Sequence, residues 1–517
     1  PPMSAAQTIC KRSPVSGEVI GEFPISDEAA VAAAVARARA AFPAWSALSL
    51  EARMERLDRL RHVLVERGEE FAARLSEDTG KPRIESLSTE LLLVPTLLDY
   101  HRKVAAKVLG RRKVWTPIYL APKASYVEHF PRGVIGVISP WNFPFQLAIA
   151  PILQALTAGN TCVLKPSEVT PIAGELIREV FAAIDLPAGV VEVVQGDGGT
   201  GAPLCRADVD MIFFTGSVAT GRKVMAACAA RPIPCELELG GKDAMIICED
   251  APLERAVRGA AWGGFTNAGQ ACISVERLFV VDAIYDRFVA LFEREVGALR
   301  VGGPDEDADV GPMIFKGQLA TVERHLREAV ADGAKILVGG ERVERAGQFF
   351  APTVIVDVRP EMSIYREETF GPVVPIIRVK DEEEAIRLAN SHEYGLNASV
   401  WTRDLDRGVA IASRLECGQV SVNDVLSSAG HPGLPFGGVK SSGIGRYHGE
   451  EGLRAFTHVR AILVDRALTK AEPYWYPYGG KYRGAVELVM GLMRKKPLKI
   501  VRGFVKMARI KREPGEG

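Results

Sequence analysis

From residue 125 onward the chain alternates short apolar runs with helical stretches, and this restricts the fold more than any other feature. "ASYVEHFPRGVIGVISP" has β-branched runs interrupted by Pro and Gly and is predicted as strand. "TCVLK" (161–165) reads as a buried strand, "PIAGELIREVFAAI" (171–184) as a helix opened by proline, and "VVEVVQG" (190–196) as a strand. "APLCRA" is a short helix, and "VDMIFFTG" (209–216) a strand that turns into the helix "GRKVMAACAA". "CELELGG" and "DAMIIC" follow as strands. This β-α-β-α order predicts a parallel sheet covered on both faces. A second alternating region runs from a helix near 252–267 through "RLFVV" and a helix at 283–298 to about 425. Two α/β lobes with a cleft between them are therefore expected. Ahead of them, 28–79 and 82–110 carry helical spacing.

A length of 517 residues exceeds one simple core and predicts two or three domains. The net charge of zero argues against a nucleic-acid partner. Eight cysteines without CxxC pairs suggest neither a disulfide framework nor a zinc site, and the eight histidines are scattered, so no metal is expected. Free thiols favour a reducing compartment. "PPMSAAQ" lacks a basic region followed by an apolar core, and no apolar run reaches the roughly 18 residues of a membrane span. A cytoplasmic location is the expectation.

Several stretches could carry chemistry. Cys272 follows "NAGQA", small residues that leave its sulfur uncovered and let backbone approach closely. "TGSVATG" sets Gly216, Ser217 and Gly221 between a strand and a helix, where free N–H groups favour an anion; a plain tight turn fits equally well. "VLKPSE" puts Lys165, Ser167 and Glu168 at a strand's carboxyl end, where the Glu168 carboxylate could accept from both ribose hydroxyls or Ser167 could simply cap a helix with Lys165 solvated. Glu238 in "LELGG" is a carboxylate between apolar neighbours, suited to a general base or to an ion pair. Asn142 in "SPWNFP" could donate to an oxyanion or simply hold a turn. "EETFGP" contributes Glu367, Glu368 and Phe370.

Together "SPWNFP", "LKPSE", "FTGSVATG", "LELGGK", "FTNAGQACISVERL", "EETFGPV" and "PFGGVKSSGIGR" occur in the order of the aldehyde dehydrogenase superfamily, which the chain resembles over roughly residues 8–468. The resemblance implies Cys272 as nucleophile, Asn142 with the Cys272 N–H as oxyanion donors, and Glu238 as the base that hydrolyses a thioester. It implies NAD as cofactor, with NADP as the alternative. Lys165 and Glu168 would hold the adenosine ribose, and Gly216, Ser217 and the helix after them would face the pyrophosphate. Glu368 would hold the nicotinamide ribose with Phe370 beside the ring, and Trp141, Ser167, Gly221, Leu239 and Gly240 would be further cofactor-binding residues. The implied fold is α/β and has three parts. A Rossmann-like cofactor domain with a five-stranded sheet takes 1–112 and 132–240, with 441–458 returning to it. A catalytic domain takes 241–440, and a β oligomerisation arm 113–131 and 459–468. A homodimer or tetramer follows from that arm. A thiol esterase or acyltransferase, a non-catalytic scaffold and a coenzyme A-acylating enzyme are the competing classes; Glu238 argues against the last.

The aldehyde is less legible. Ala148 and Ala150 in "NFPFQLAIAP" are expected to line a wide substrate tunnel or else to pack closely on a neighbour. Residues 469–517 hold 12 Lys/Arg and 4 Asp/Glu, a balance of +8 against −8 for the rest. Within 495–512, Leu498, Val501, Val505 and Ala508 form one helical stripe, and Lys499, Arg502, Lys506 and Arg509 a basic one beside it. "VELVMGLM" and the aromatic "PYWYPY" precede them. This extension either packs on the protein or rests on an anionic membrane surface through 481–512. The membrane reading goes with long-chain or apolar aldehydes; broad-specificity short-chain aldehydes or semialdehydes are the alternative substrates.

Overall fold

A computed structural model describes residues 7–510. They form two compact units: one runs to Leu109 and resumes over Phe130–His458, the other takes Gly110–His129 and the chain from Val459 onward.

The first unit holds two main sheets. One has the order Gly443–Ile444, Cys235–Glu238, Met211–Thr215, Val134–Ile138, Thr161–Lys165, Val191–Val193, parallel except at the Gly443–Ile444 edge. Its central strands are buried along almost their whole length because both faces are covered. Cys162 and Leu164 point into one core and Val163 into the other, the period of two that a pleated strand imposes. The second sheet has the order Lys335–Val338, Thr353–Val356, Val373–Val379, Val275–Val281, Asp243–Ile247, Asn397–Trp401, Gln419–Val422, parallel except for its first pair.

The two sheets are joined through "ELGGKD". Cys235–Glu238 ends one sheet and Asp243–Ile247 begins in the other, so Gly240 and Gly241 carry the chain across. A Cβ on Gly241 would stand 2.6 Å from the Cys272 carbonyl oxygen. The glycine therefore lets the end of one sheet reach the segment that enters the other.

The long helical region 28–79 is three helices, Glu28–Ser46, Leu50–Asp58 and Leu60–Thr79; Ser49 starts the second by accepting the Ala52 N–H at 3.2 Å. The region 82–110 is interrupted by a π-helical turn, Ser86–Leu91, ahead of the helix Leu93–Leu109. The strand expected over 190–196 is only Val191–Val193.

The second unit pairs Arg112–Val114 with Ala124–Pro131, beside Thr457–Val464. Its extension is a hairpin of two helices, Tyr482–Met493 and Pro497–Ala508. Glycines make the contact: a Cβ on Gly503 would lie 2.4 Å from the Leu488 nitrogen, and one on Gly491 2.8 Å from the Ile500 nitrogen. Ile500 and Met507 fill the interface. The stripe of Leu498, Val501 and Val505 faces outward, 85%, 56% and 41% exposed. Lys511 and Arg512, the end of the expected helix, lie outside the described residues. Among the described residues no helix is long and apolar enough to cross a membrane.

Candidate active site

The backbone before Cys272 is bent by three successive left-handed residues, Asn267 (φ 51°), Ala268 (φ 54°) and Gly269 (φ 70°). The first two cost about 1–2 kcal/mol each, which only a crowded set of contacts sustains. Asn267 supplies several: its N–H donates to the Glu85 carboxylate at 2.9 Å, and its amide donates to the Asn142 carbonyl at 2.9 Å and the Gln270 carbonyl at 3.2 Å. At Gly269 a Cβ would sit 2.2 Å from the Gly371 carbonyl oxygen, so glycine is required. The half-buried Cys272 thiol is pushed well above its ordinary pKa by burial and then by Asp243, Glu368 and Glu238; its own N–H, bonded to the sulfur, works the other way.

Asn142 donates one amide hydrogen to the Gln270 carbonyl at 3.0 Å, leaving its second for a ligand. Its own carbonyl accepts from Lys81 Nζ at 3.0 Å, and Lys81 is paired with the buried Glu90 at 2.6 Å. The other Glu90 oxygen takes the N–H groups of Phe145 and Gln146 at 3.1 and 2.9 Å. It thereby caps the helix Gln146–Thr157, which has no side-chain cap of its own. One buried ion pair thus fixes both Asn142 and the helix after it.

Glu238 closes its strand with both carboxylate oxygens buried and without a hydrogen bond among the described residues. Burial, then the charge of Glu236, pushes its pKa well above the carboxylate range, with Arg446 opposing. An unpartnered buried carboxylate is costly unless it works on a ligand.

Asn142, Glu238 and Cys272 share a cleft of about 660 Å³ with Trp141, Gly216, Ser217, Leu239, Gly240, Glu368 and Phe370. Ser217 caps the helix Val218–Ala229 by accepting the Thr220 N–H at 3.3 Å, so that helix's N-terminal N–H groups open at the cleft wall. Glu368 accepts the Gly241 N–H at 3.1 Å and is pushed up to about 8 by burial and by Glu276. A Cβ on Gly240 would be 2.3 Å from its carboxylate. Phe370 has φ 50° and meets Trp141 edge-on at 5.4 Å. Gln318 and Thr321 complete the wall.

Four assigned residues stand off this wall. Lys165 and Ser167 are buried at the end of their strand, and Lys165 Nζ holds the Gly196 carbonyl at 2.9 Å and the exposed Glu168 carboxylate at 3.3 Å. Gly221 packs under Leu239: a Cβ there would lie 2.6 Å from the leucine, so this glycine serves helix-on-strand packing. Glu367, next to Glu368, does reach the wall but gives its carboxylate to Arg324 and His325.

A second cavity, of about 370 Å³, reaches Cys272 from the other side. Its walls include Leu93, Phe143, Leu147, Ile273, Leu426 and Phe436, with no Lys, Arg, His, Asp or Glu among the described residues. Leu92 and Trp262, 59% and 50% exposed, also line it and mark its outer part. Ala148 and Ala150 do not reach it. They are fully buried in the core, and Gln146 and Leu147 line the cavity in their place, because Ala148 lies on the opposite helix face and Ala150 one turn further in.

The supporting residues carry weak sequence signals. Lys242 and Glu276 form a buried ion pair, and Glu276 also takes the Thr369 and Phe370 N–H groups at 2.8 and 2.9 Å. It therefore anchors the loop that presents Glu368. Removing one partner of such a pair costs about 3–5 kcal/mol. A charged pair, Glu276–Arg277, at the start of the apolar run "VERLFVV" was the available clue; Lys81, between Gly80 and Pro82, offered less.

The sequence model of the Aldehyde dehydrogenase family matches residues 3–462. The chain belongs to the aldehyde dehydrogenase family. Members among its relatives include a 4,4'-diapolycopene aldehyde oxidase of Methylomonas sp, 43% identical over 94% of this chain and 92% of that one. A putative succinate-semialdehyde dehydrogenase [NADP(+)] of Mycolicibacterium smegmatis is 38% identical over 89% of each chain. Among solved structures, a Mycobacterium tuberculosis aldehyde dehydrogenase complexed with NAD+ is 39% identical, with a TM-score of 0.86 over 90% of this chain and 96% of that one. The family membership settles the reaction class as aldehyde oxidation and the fold as that of the aldehyde dehydrogenases.

Proposed function

We propose that this protein oxidises long-chain or otherwise apolar aldehydes to carboxylic acids with NAD as electron acceptor. The observation that carries the substrate class is the uncharged wall of the cavity ending at Cys272. A semialdehyde brings a second, anionic carboxylate that needs a cationic partner once desolvated, and this wall has none among the described residues. The relative named for an apolar aldehyde supports the same reading. A match over 94% of 517 residues reaches past residue 480, into the extension, whereas the family model stops at 462.

The cleft beside Glu238 fits a dinucleotide. Gly216 and Gly240 clear its wall, the N-terminus of Val218–Ala229 suits a pyrophosphate, and Glu368 and Phe370 suit the nicotinamide riboside. The bound nicotinamide would supply the two-electron oxidation of the adduct on Cys272. The protein's own residues do the rest. Cys272 sulfur attacks the aldehyde carbon arriving through the uncharged cavity. The second amide hydrogen of Asn142 and the Cys272 N–H receive the oxyanion. Glu238, proton-hungry and unpartnered, takes a proton from the water that cleaves the thioester. A thiol esterase would leave the dinucleotide cleft without purpose.

Initial rates on saturated aldehydes from six to eighteen carbons, beside succinate semialdehyde, test the substrate class. kcat/KM is expected to climb with chain length and to be lowest for the semialdehyde. The reverse order would establish the semialdehyde reading. For the cofactor, exposed Glu168 beside the adenosine ribose position would repel a 2′-phosphate, while Lys165 is already held by Gly196 and Glu168. NAD is expected to exceed NADP in kcat/KM by roughly tenfold or more; comparable constants would contradict this.

Self-association as a homodimer, or a tetramer built from it, is supported by the edge strand Thr457–Val464, whose Val459 and Leu463 are 65% and 53% exposed. The helical hairpin supports peripheral attachment to the cytoplasmic face of a membrane. Leu498 and Val501 project outward beside Lys499 and Arg502, and Trp475, Tyr476 and Tyr482 are exposed nearby in sequence. The enzyme should sediment with phosphatidylglycerol vesicles at low salt and be released by high salt, and a Leu498→Glu/Val501→Glu variant should stay in the supernatant. Wild-type protein remaining in the supernatant would rule this out.

A further inference from the structure

Beyond the cavity that ends at Cys272 lies a second one, of about 330 Å³, lined by Leu64, Val65, Leu87, Leu91, Leu92 and Pro95. Leu92 belongs to both. The π-helical turn Ser86–Leu91 is the partition between them. Ser88 and Thr89 face the inner cavity, Leu87 and Leu91 the outer one. The two hydroxyls are turned back onto their own turn, donating to the Ile84 and Glu85 carbonyls at 2.6 and 2.7 Å, so they present little polarity to the inner space. π-Turns are rare and cluster at functional sites.

The outer groove keeps large apolar side chains in water: Val65 is 85% exposed, Leu92 59% and Leu87 49%. Its single charged wall residue, Arg61, is committed elsewhere, donating to Asp58 at 2.8 Å and to the Pro95 carbonyl at 2.9 Å and pairing with Asp99. Those bonds tie the helix Leu60–Thr79 to the helix Leu93–Leu109 and hold the groove open between them. The partition is also tied to the chemistry, because the Glu85 carboxylate just before it accepts the Asn267 N–H.

We infer that this groove is an outer subsite for the far end of a long apolar aldehyde, whose chain leaves the inner cavity over Leu92 and lies along Leu87, Leu91 and Val65. This rests on the apolar-aldehyde reading above and extends it. The occupant follows from continuity: Leu92, at the outer part of the inner cavity, also lines the groove, so an apolar chain leaving over Leu92 meets the exposed apolar wall of Leu87, Leu91 and Val65. Burying about two methylenes there is worth roughly tenfold in affinity.

The test uses the full-length enzyme with NAD and two variants at exposed positions, Val65→Asp and Leu87→Asp. Hexanal and octadecanal are compared, together with inhibition of hexanal oxidation by octadecanoate. KM for octadecanal and the inhibition constant of octadecanoate are each expected to rise roughly tenfold. kcat, and KM for hexanal, should stay within about twofold. Octadecanal constants that do not move in either variant overturn the subsite while leaving the substrate class intact. Equal losses on both aldehydes in both variants overturn it too, because a subsite for the far end leaves a short substrate alone. Wild-type enzyme that oxidises hexanal but neither oxidises octadecanal nor binds octadecanoate overturns the substrate class and the subsite together. Loss of self-association in the variants, with unchanged octadecanal constants, would assign the groove to a second copy of this chain instead.

Discussion

Replacing Cys272 with alanine is expected to abolish aldehyde oxidation, lowering kcat by on the order of 10⁴-fold or more, since the nucleophile has no substitute at that point. The contrast that makes this informative is Cys235. Its thiol is hydrogen-bonded by Cys228 and drawn below its ordinary range, so by acidity alone it is the better nucleophile of the two. Cys272 is pushed in the opposite direction. Position reverses that ranking. Cys272 lines both cavities that an aldehyde and a dinucleotide would fill, and Cys235 lines neither. Cys235→Ala should therefore keep wild-type turnover. Equal loss of activity from Cys235→Ala, with an active Cys272→Ala, would move the nucleophile. Retained structure in both variants is checked by their thermal unfolding.

The second large effect is at Glu238. Glu238→Gln is expected to slow steady-state turnover by roughly 10²–10⁴-fold, the usual contribution of a positioned base. The first turnover should be far less affected. Reduced nicotinamide would then appear as a burst of up to one equivalent per site, followed by a slow phase in which thioester persists. The pH dependence carries a sign. Burial raises the Glu238 pKa, so its base form is scarce in the ordinary carboxylate range and accumulates only as pH climbs. The wild-type hydrolysis rate should rise with pH well above the usual glutamate range, and the slow phase of the glutamine variant should lack that limb. Unchanged steady-state turnover in Glu238→Gln would show that another group activates the water.

How much of this was open to inspection before folding varies by residue. "TCVLK" is a short run with an apolar centre that alternates with helical stretches, a pattern that fits a strand covered on both faces, so the parallel sheet was readable. The helix after "TGSVATG" was readable, but it starts at Val218, three residues ahead of the expected "GRKVMAACAA", because the Ser217 hydroxyl accepts the Thr220 N–H. Of the two readings open for Ala148 and Ala150 the structure has close packing in the core, a choice the sequence left open because a helix that is apolar all round does not reveal which positions meet a cavity. The outward turn of Leu498 and Val501 was equally hidden. It depends on Gly484, Gly491 and Gly503 claiming the hairpin interface, a contact between two helices that neither specifies alone.

By itself the sequence determined the alternation that builds the sheets and the ordered motifs that mark the family, both encoded in local spacing. Cys272, Glu238 and Asn142 were singled out through the resemblance those motifs carry. Only the tertiary structure decided that Glu90 and Lys81 hold Asn142, that Glu276 anchors the Glu368 loop, and that Cys272 divides two cavities of opposite character. The physical reason is distance along the chain. Lys81 and Asn142 are 61 residues apart and Glu276 and Phe370 are 94 apart, and a buried hydrogen bond over such a separation exists only once the elements carrying its two ends have packed.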